Sequence, residues 1–172
     1  YGLNPQILRE PALLKPDEGS FYHEALDRFT RLCAPGGFDL TDQEAAERMS
    51  QVVAPLCQAL ERRAFARTAL GKAQIRRMAQ TAVRAAVEMT WHIRRSAFRP
   101  LASEISFGMG GPYPAIELDA GGVQLVLQGR IDRVDVAQVA GQDYLRIVDY
   151  KTGRNQLSFA RVETGTQLQL LT

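Results

Sequence analysis

Two short runs of the sequence carry charged residues where a β-strand usually carries apolar ones. Residues 129–135 read Gly-Arg-Ile-Asp-Arg-Val-Asp, and residues 147–153 read Ile-Val-Asp-Tyr-Lys-Thr-Gly. Because the side chains of a strand alternate between its two faces, Asp149 and Lys151 share a face. The apolar residues on that face are Leu145 and Ile147. This face is predicted to enter the core, where a charge is costly unless an ion pair, a metal ion or a substrate phosphate compensates it.

A predicted turn at Gly141-Gln142-Asp143 folds these two runs into an antiparallel hairpin. Opposite residues of such a pair lie about 4.5–5.5 Å apart, so Asp132 and Asp149 are expected to lie close together. Two carboxylates at this distance repel each other unless a divalent cation lies between them. Oxygen ligands beside a lysine suit a hard ion such as Mg²⁺ or Mn²⁺ rather than zinc.

Hydrolysis of a phosphodiester is the chemistry that this arrangement indicates. The metal polarises the phosphate and lowers the pKa of a bound water, while Lys151 orients that water or neutralises developing charge. A structural Asp–Lys pair at the end of a strand is the alternative, and the tripeptide Asp-x-Lys by itself leaves it open.

The order of these motifs along the chain resembles the PD-(D/E)XK nuclease superfamily. Within it, the set is similar to the RecB-like nuclease domains of bacterial helicase–nucleases, and most of all to the C-terminal nuclease domain of AddB (RexB) subunits. That family has a helix bearing a His, then Gly-x-Ile-Asp-Arg-x-Asp, then Asp-Tyr-Lys, then Gln-x-x-x-Tyr. The resemblance covers about 19–172 and is strongest over 129–153.

The resemblance implies a role for each matching residue. A His in a Gly-x-x-x-His segment contributes to the metal site of RecB-like nucleases, and here that residue is His23, with Glu24 as a second candidate. The other implied metal ligands are Asp132, Asp149 and the backbone carbonyl oxygen of Tyr150. Lys151 is implied to assist the attacking water.

Two further residues are suggested less directly. Gln169 matches the Gln of the Gln-x-x-x-Tyr element and is expected to position substrate, but the Tyr would fall at the position after Thr172. Glu104 precedes a Phe-Gly pair, as an acid often does in AddB-like sequences. It is either an exposed charge on a strand edge or an auxiliary acid of the site.

AddB-type domains usually hold an iron–sulfur cluster, with one cysteine before a Tyr-Gly-Leu segment and three beyond the glutamine helix. Tyr1-Gly2-Leu3 matches that segment, but all four cluster positions would lie outside this chain. Cys33 and Cys57 do not match them and are interpreted as buried or idle thiols. No iron–sulfur cluster is expected in this chain.

The chain is expected to form one domain. Its 172 residues, with 45% apolar and 23% charged residues, are typical of a soluble globular protein. An extended lead-in is predicted over 1–18 and a single nuclease domain over 19–172. The start at Tyr1 and the end at Thr172 inside a periodic run predict a fragment of a longer chain with a truncated C-terminal part. No apolar run is long enough to span a membrane and no signal peptide is visible, so a cytoplasmic location is expected.

Helical periodicity in the first half and alternation in the second predict an α+β fold. The expected order is N-terminal helices, a mainly antiparallel mixed sheet and a flanking C-terminal helix from Thr166. Helices are predicted at 21–32 with Ser20 as N-cap, from a Thr41/Glu44 capping box through Leu56 with Pro55 as a kink or a break, and at 72–98 after a break at Gly71. Strands are predicted at 103–108, 115–118 and 123–136, in addition to the strand that leads to Asp149.

The main hypothesis is a Mg²⁺-dependent DNA exonuclease domain, with Mn²⁺ able to substitute. By resemblance, it would trim a single strand that a helicase subunit delivers during double-strand-break repair and recombination. The alternative from another class is a catalytically inactive nuclease-fold module for DNA binding or subunit docking. A cyclic-nucleotide or sugar-phosphate hydrolase would need more His and Asp ligands than this chain has. The net charge is only +2, so any attraction to DNA must come from a local basic patch.

Overall fold

A computed structural model describes residues 15–108 and 110–151 and has the α+β order that the sequence predicts. The helices come first: α1 (Lys15–Cys33), α2 (Asp42–Glu61) and α3 (Ala69–Arg94), with short 3₁₀ turns at Ala34–Gly36 and Ala64–Arg67. The strands follow: β1 (Arg99–Phe107), β2 (Ile116–Asp119), β3 (Gln124–Leu127), β4 (Gly129–Val139) and β5 (Gln142–Val148). The predicted C-terminal helix and Gln169 lie outside the described residues.

The three helices pack their apolar stripes together and form the core. Phe29, Met49 and Met78, one from each helix, are fully buried there. The predicted capping box is confirmed, because the Thr41 side chain accepts from the Glu44 N–H while the Glu44 carboxylate accepts from the Thr41 N–H. Pro55 lies inside α2, which continues to Glu61 as one helix. None of the described helices is both long and apolar enough to cross a membrane.

Three predicted helix boundaries are wrong. Helix α3 ends at Arg94 and not at residue 98. Helix α1 begins at Lys15, before the predicted N-cap Ser20, and its first turn holds Pro16 and two acids that favour a helix start. Gly71 does not break a helix but lies in the first turn of α3, behind the N-cap Thr68. A Cβ at Gly71 would lie 2.1 Å from the carbonyl oxygen of Phe65, so glycine is required there by close backbone packing.

Strand β4 is the centre of a three-stranded antiparallel sheet with the order β1-β4-β5. The predicted hairpin is confirmed, but its turn is Ala140-Gly141, and Gln142 already belongs to β5. Both turn residues have positive φ, 52° and 78°, as a two-residue hairpin of the I′ type requires. The predicted run 123–136 is two strands, since β3 pairs with β2 in a separate two-stranded sheet and β4 begins at Gly129.

The predicted orientation of β5 is also wrong. Leu145 and Ile147 are 66% and 55% exposed, whereas Tyr150 packs against the helical core. The register aligns Arg146 with the buried Asp135 of β4. Asp135 can be buried because Arg133 and Arg146 compensate its charge, and this pairing depends on strand register and not on residue type alone.

Candidate metal centre

Three side chains from different elements converge in a cleft between α1 and the sheet. His23 comes from α1, Glu104 from β1 and Asp132 from β4. The His23 Nδ1 atom lies 3.2 Å from Asp132 Oδ1 and 3.6 Å from Glu104 Oε1. One ligand atom from each residue lies within 4.8 Å of the others. We call these three residues the acid–histidine cluster.

The backbone holds the acids of this cluster in place. Glu104 and Asp132 face each other between the paired positions Ser103↔Arg133 and Ile105↔Ile131. Glu104 has a φ of 52°, a region that few non-glycine residues adopt. Such a residue persists only where its surroundings fix it, and it is common at functional sites.

Asp132 is further fixed by the second predicted motif. Its carboxylate, 8% exposed, accepts a hydrogen bond of 2.6 Å from the Tyr150 N–H. The ring of His23 also lies edge-on to the Tyr150 ring, at a centroid distance of 6.1 Å. The described contacts of Tyr150 with the cluster are therefore through its N–H and its ring.

The hairpin also brings Asp149 and Lys151 to this end of the sheet. The ladder ends at Arg133↔Val148, so the next pair in register is Asp132 with Asp149. Asp149 is nevertheless not a member of the acid–histidine cluster that the described residues form. Its Oδ2 lies 2.9 Å from the Lys151 Nζ, and both side chains are exposed to solvent.

The remaining acids of the cleft are already paired along helix α1. Glu24 lies 2.5 Å from Arg28, and Asp27 lies 2.9 Å from Arg31 and accepts a hydrogen bond from Ser103. The cleft has a volume of about 780 Å³. Glu24, the second candidate, lines this cleft but does not join the acid–histidine cluster in the described structure.

A second charged group lies on the opposite face of β4 and was not predicted from the sequence. Asp135 is fully buried and accepts hydrogen bonds from Arg133 at 3.2 Å and from Arg146 at 2.7 Å and 3.1 Å. Arg133 Nε and Asp135 Oδ1 also lie 2.8 Å apart. The geometry of this contact is that of an ion pair and not of a hydrogen bond. We call Arg133, Asp135 and Arg146 the buried charge network.

Tyr150 connects the buried charge network to the cluster. Its hydroxyl accepts a hydrogen bond of 2.7 Å from Arg133, while its N–H holds Asp132. Burial raises the pKa of the Tyr150 hydroxyl to about 12, although the nearby Arg133 opposes this shift. The protonated hydroxyl anchors the Tyr150 side chain to the buried charge network, and the N–H of the same residue contacts the cluster.

The donor set of the cluster fits a divalent cation. It offers one imidazole nitrogen and two carboxylates in an open cleft. Carboxylates suit hard ions such as Mg²⁺ and Mn²⁺, and an imidazole is compatible with several divalent metals. Of its members, His23 and Asp132 were predicted as ligands, and Glu104 was named without a decision between an edge charge and an auxiliary acid. The contribution of Glu104 to the cluster depends on the pairing of β1 with β4, which the sequence pattern does not reveal.

Comparison with known proteins gives a consistent result. The family model of the PD-(D/E)XK nuclease superfamily matches residues 1–172. The chain is 40% identical over 174 residues to a protein of Moorella thermoacetica that is named as a subunit of an ATP-dependent helicase/deoxyribonuclease, covering 99% of this chain and 15% of that protein. Proteins of the same name from Ruminiclostridium cellulolyticum and Acetivibrio thermocellus are 35% and 36% identical over 177 residues. The chain thus spans about 15% of the length of these relatives.

Proposed function

Because the chain belongs to the PD-(D/E)XK nuclease superfamily, we propose that it is a Mg²⁺-dependent deoxyribonuclease domain. It hydrolyses phosphodiester bonds of DNA from an end, as an exonuclease. The observation that supports this proposal is the convergence of His23, Glu104 and Asp132 in an open cleft next to Asp149 and Lys151.

The residues of the cleft have separate roles in this proposal. His23, Glu104 and Asp132 would hold the cation, with Asp149 and the carbonyl oxygen of Tyr150 as further ligands. When bound, Mg²⁺ or Mn²⁺ supplies Lewis-acid activation of the phosphate and of a water.

The other groups position the reactants. The Tyr150 N–H keeps the Asp132 carboxylate in a fixed orientation. The Lys151 ammonium is half-exposed and neutralises the charge that develops on the phosphate oxygens, or orients the attacking water. Gln169 is proposed to position the substrate.

The names of the relatives support a cellular context for this activity. Proteins named as a subunit of an ATP-dependent helicase/deoxyribonuclease share 35–40% of their residues with this chain over its whole length. We therefore propose that the domain acts within a helicase–nuclease complex. The helicase delivers a single DNA strand to the cleft during double-strand-break repair and recombination.

Cleavage of 5′-end-labelled single-stranded DNA in Mg²⁺, Mn²⁺ or EDTA tests this proposal. We expect degradation in either metal and none in EDTA, with a closed circular single strand left intact. Asp132→Asn and Lys151→Ala should each reduce the rate by about 100-fold or more, as loss of one electrostatic group in an active site does. The matched controls are Asp143→Asn and Lys72→Ala, which change exposed residues outside the cleft lining.

One observation favours a second candidate, a nuclease fold kept for DNA binding or subunit docking without cleavage. Lys151 is ion-paired with Asp149, and Asp149 is not part of the acid–histidine cluster. This candidate predicts DNA binding with no cleavage in either metal. Cleavage that survives both substitutions would contradict the roles assigned to Asp132 and Lys151.

A further inference from the structure

We propose that Arg130 is a phosphate-positioning residue that exchanges partners. Arg130 pairs with Glu104 while the cluster lacks a cation. Once a cation in the cluster is paired with the Glu104 carboxylate, Arg130 pairs instead with a backbone phosphate of the DNA strand. This inference rests on the proposed function, since it assumes a nucleic-acid strand in the cleft. Nothing in the sequence motifs singled out this arginine.

Arg130 lines the cleft next to the cluster. Its Nη1 lies 3.0 Å from Glu104 Oε2, while Glu104 Oε1 is the oxygen that lies nearer His23. The Arg130 side chain is 64% exposed, whereas that of Glu104 is 16% exposed. One oxygen of Glu104 therefore points toward the cluster, and the other pairs with the solvent-exposed guanidinium of Arg130.

The pairing of Arg130 with Glu104 is weak enough to be exchanged. The guanidinium of Arg130 lies largely in water, which screens its charge and makes the pair weaker than one with both partners buried. Arg133, by contrast, is buried and donates to both Asp135 and Tyr150. Arg130 makes its described contact with Glu104 alone, so it can rotate toward a ligand once a cation in the cluster compensates the Glu104 carboxylate.

The charge of the cleft explains why a phosphate needs this arginine. Four carboxylates of the described residues line the cleft, and they would repel a DNA backbone. The arginines among the described lining residues are Arg31 and Arg130. Arg31 is paired with Asp27 one turn away on its own helix. Within the described part of the chain, Arg130 is therefore the lining arginine beside the cluster, and its planar guanidinium matches two phosphate oxygens at once.

Two titrations on the same variants test the exchange, because the proposal predicts different results for DNA and for metal. The first measures binding of a fluorescent single-stranded oligonucleotide by anisotropy in Ca²⁺, at several salt concentrations. The second measures Mn²⁺ binding by calorimetry without DNA. Arg130→Ala should weaken DNA binding about tenfold, as loss of a hydrogen bond to a charged group does. It should lower the salt slope of log K by about 1.

Mn²⁺ should bind Arg130→Ala at least as tightly as the unaltered chain, because a competing cation has been removed from Glu104. Arg130→Lys should fall between the two proteins in DNA affinity, since it keeps the charge and loses the planar fork. The matched control is Arg62→Ala, an exposed arginine at the end of α2 that does not line the cleft. It should change neither titration by more than about twofold.

Two results would overturn the proposal. Unchanged DNA affinity in Arg130→Ala would show that the arginine does not contact the strand. Weaker Mn²⁺ binding in the same variant would show that Arg130 orients Glu104 for the metal instead of competing with it. Failure of the proposed function is distinguishable from both, because it would appear as absence of cleavage by the unaltered chain in either metal, whatever Arg130→Ala does to the two titrations.

Discussion

Two charged groups lie on opposite faces of strand β4, and they differ in the number of acids relative to basic residues. The buried charge network places the carboxylate of Asp135 between two arginines, Arg133 and Arg146, with almost no contact with solvent. The acid–histidine cluster places two carboxylates and one imidazole around an open cleft. The first group sets two arginines against one acid, so its acid is fully compensated within the protein. The second has an excess of acid that an exposed arginine only partly offsets.

This difference separates a structural group from a functional one. The buried Asp135 is held by ion pairs with two arginines and is out of reach of a ligand from solvent, and its loss leaves uncompensated charge. Two adjacent carboxylates in a cleft repel each other and gain from a divalent cation. Asp132 and Asp135 lie three residues apart in one motif, so strand alternation alone assigns them to different environments.

The largest expected effect comes from removing the charge of the acid in the buried charge network. Asp135→Asn should lower the free energy of unfolding by about 3–5 kcal/mol, because it leaves Arg133 buried beside a neutral partner. Urea denaturation followed by circular dichroism measures this change. The control Asp143→Asn, at an exposed position of β5, should change stability by less than about 0.5 kcal/mol. A loss below about 1 kcal/mol for Asp135→Asn would mean that the network does not hold the fold.

Binding of a cation to the acid–histidine cluster should stabilise the folded chain. Mn²⁺ at one hundred times its dissociation constant is expected to raise the free energy of unfolding by about 2.7 kcal/mol, since it binds the folded state. Unfolding curves with and without Mn²⁺ measure this gain. Asp143→Asn should keep the gain in full, and equal curves for the unaltered chain would argue against a cation site.

The Tyr150 hydroxyl links the two groups and predicts a dependence on alkaline pH. Its pKa is raised from 10.0 to about 12 in the folded state, so the folded chain binds the proton more tightly than the unfolded chain. This stabilisation is complete below pH 10 and is lost as pH rises to about 12. Two pKa units correspond to at most about 2.7 kcal/mol, and partial exposure reduces this to about 2 kcal/mol.

Stability measured between pH 9 and pH 12 tests this assignment against Tyr150→Phe. The variant should show a shallower decline, because it has no hydroxyl to titrate, while Tyr144→Phe at an exposed position should behave as the unaltered chain does. Parallel declines for Tyr150→Phe and the unaltered chain would assign the alkaline loss to other groups.

The smallest expected effect belongs to the acid that the sequence did not settle. Glu104→Gln keeps the shape of the side chain and removes one charge, so Mn²⁺ binding should weaken about tenfold, or about 1.4 kcal/mol. Without metal its stability should change by less than about 0.5 kcal/mol, because repulsion from Asp132 is relieved as the pairing with Arg130 is lost. Calorimetric titration measures the affinity. Unchanged Mn²⁺ affinity in Glu104→Gln would indicate that Glu104 is a charge on a strand edge and not a ligand of the cation.

Features that depend on local signals could be predicted from the sequence. The capping box of α2, the order of helices and strands and the β4–β5 hairpin follow from residue spacing, and so does the alignment of Asp132 toward Asp149. The outward orientation of Leu145 and the role of Glu104 could not be predicted in this way. Both depend on which strands pair and on an unusual φ at Glu104, and these are tertiary properties.

Calorimetry of Mn²⁺ binding by the unaltered chain and by Asp132→Asn tests whether the acid–histidine cluster is a metal site. Asparagine keeps an oxygen that can accept from the Tyr150 N–H, so the variant should fold while losing the charge that the cation needs. We expect the unaltered chain to bind Mn²⁺, Asp132→Asn to lose at least about tenfold in affinity and Asp143→Asn to be unaffected. Equal Mn²⁺ affinity in the unaltered chain and Asp132→Asn would contradict the assignment of the acid–histidine cluster as the metal site.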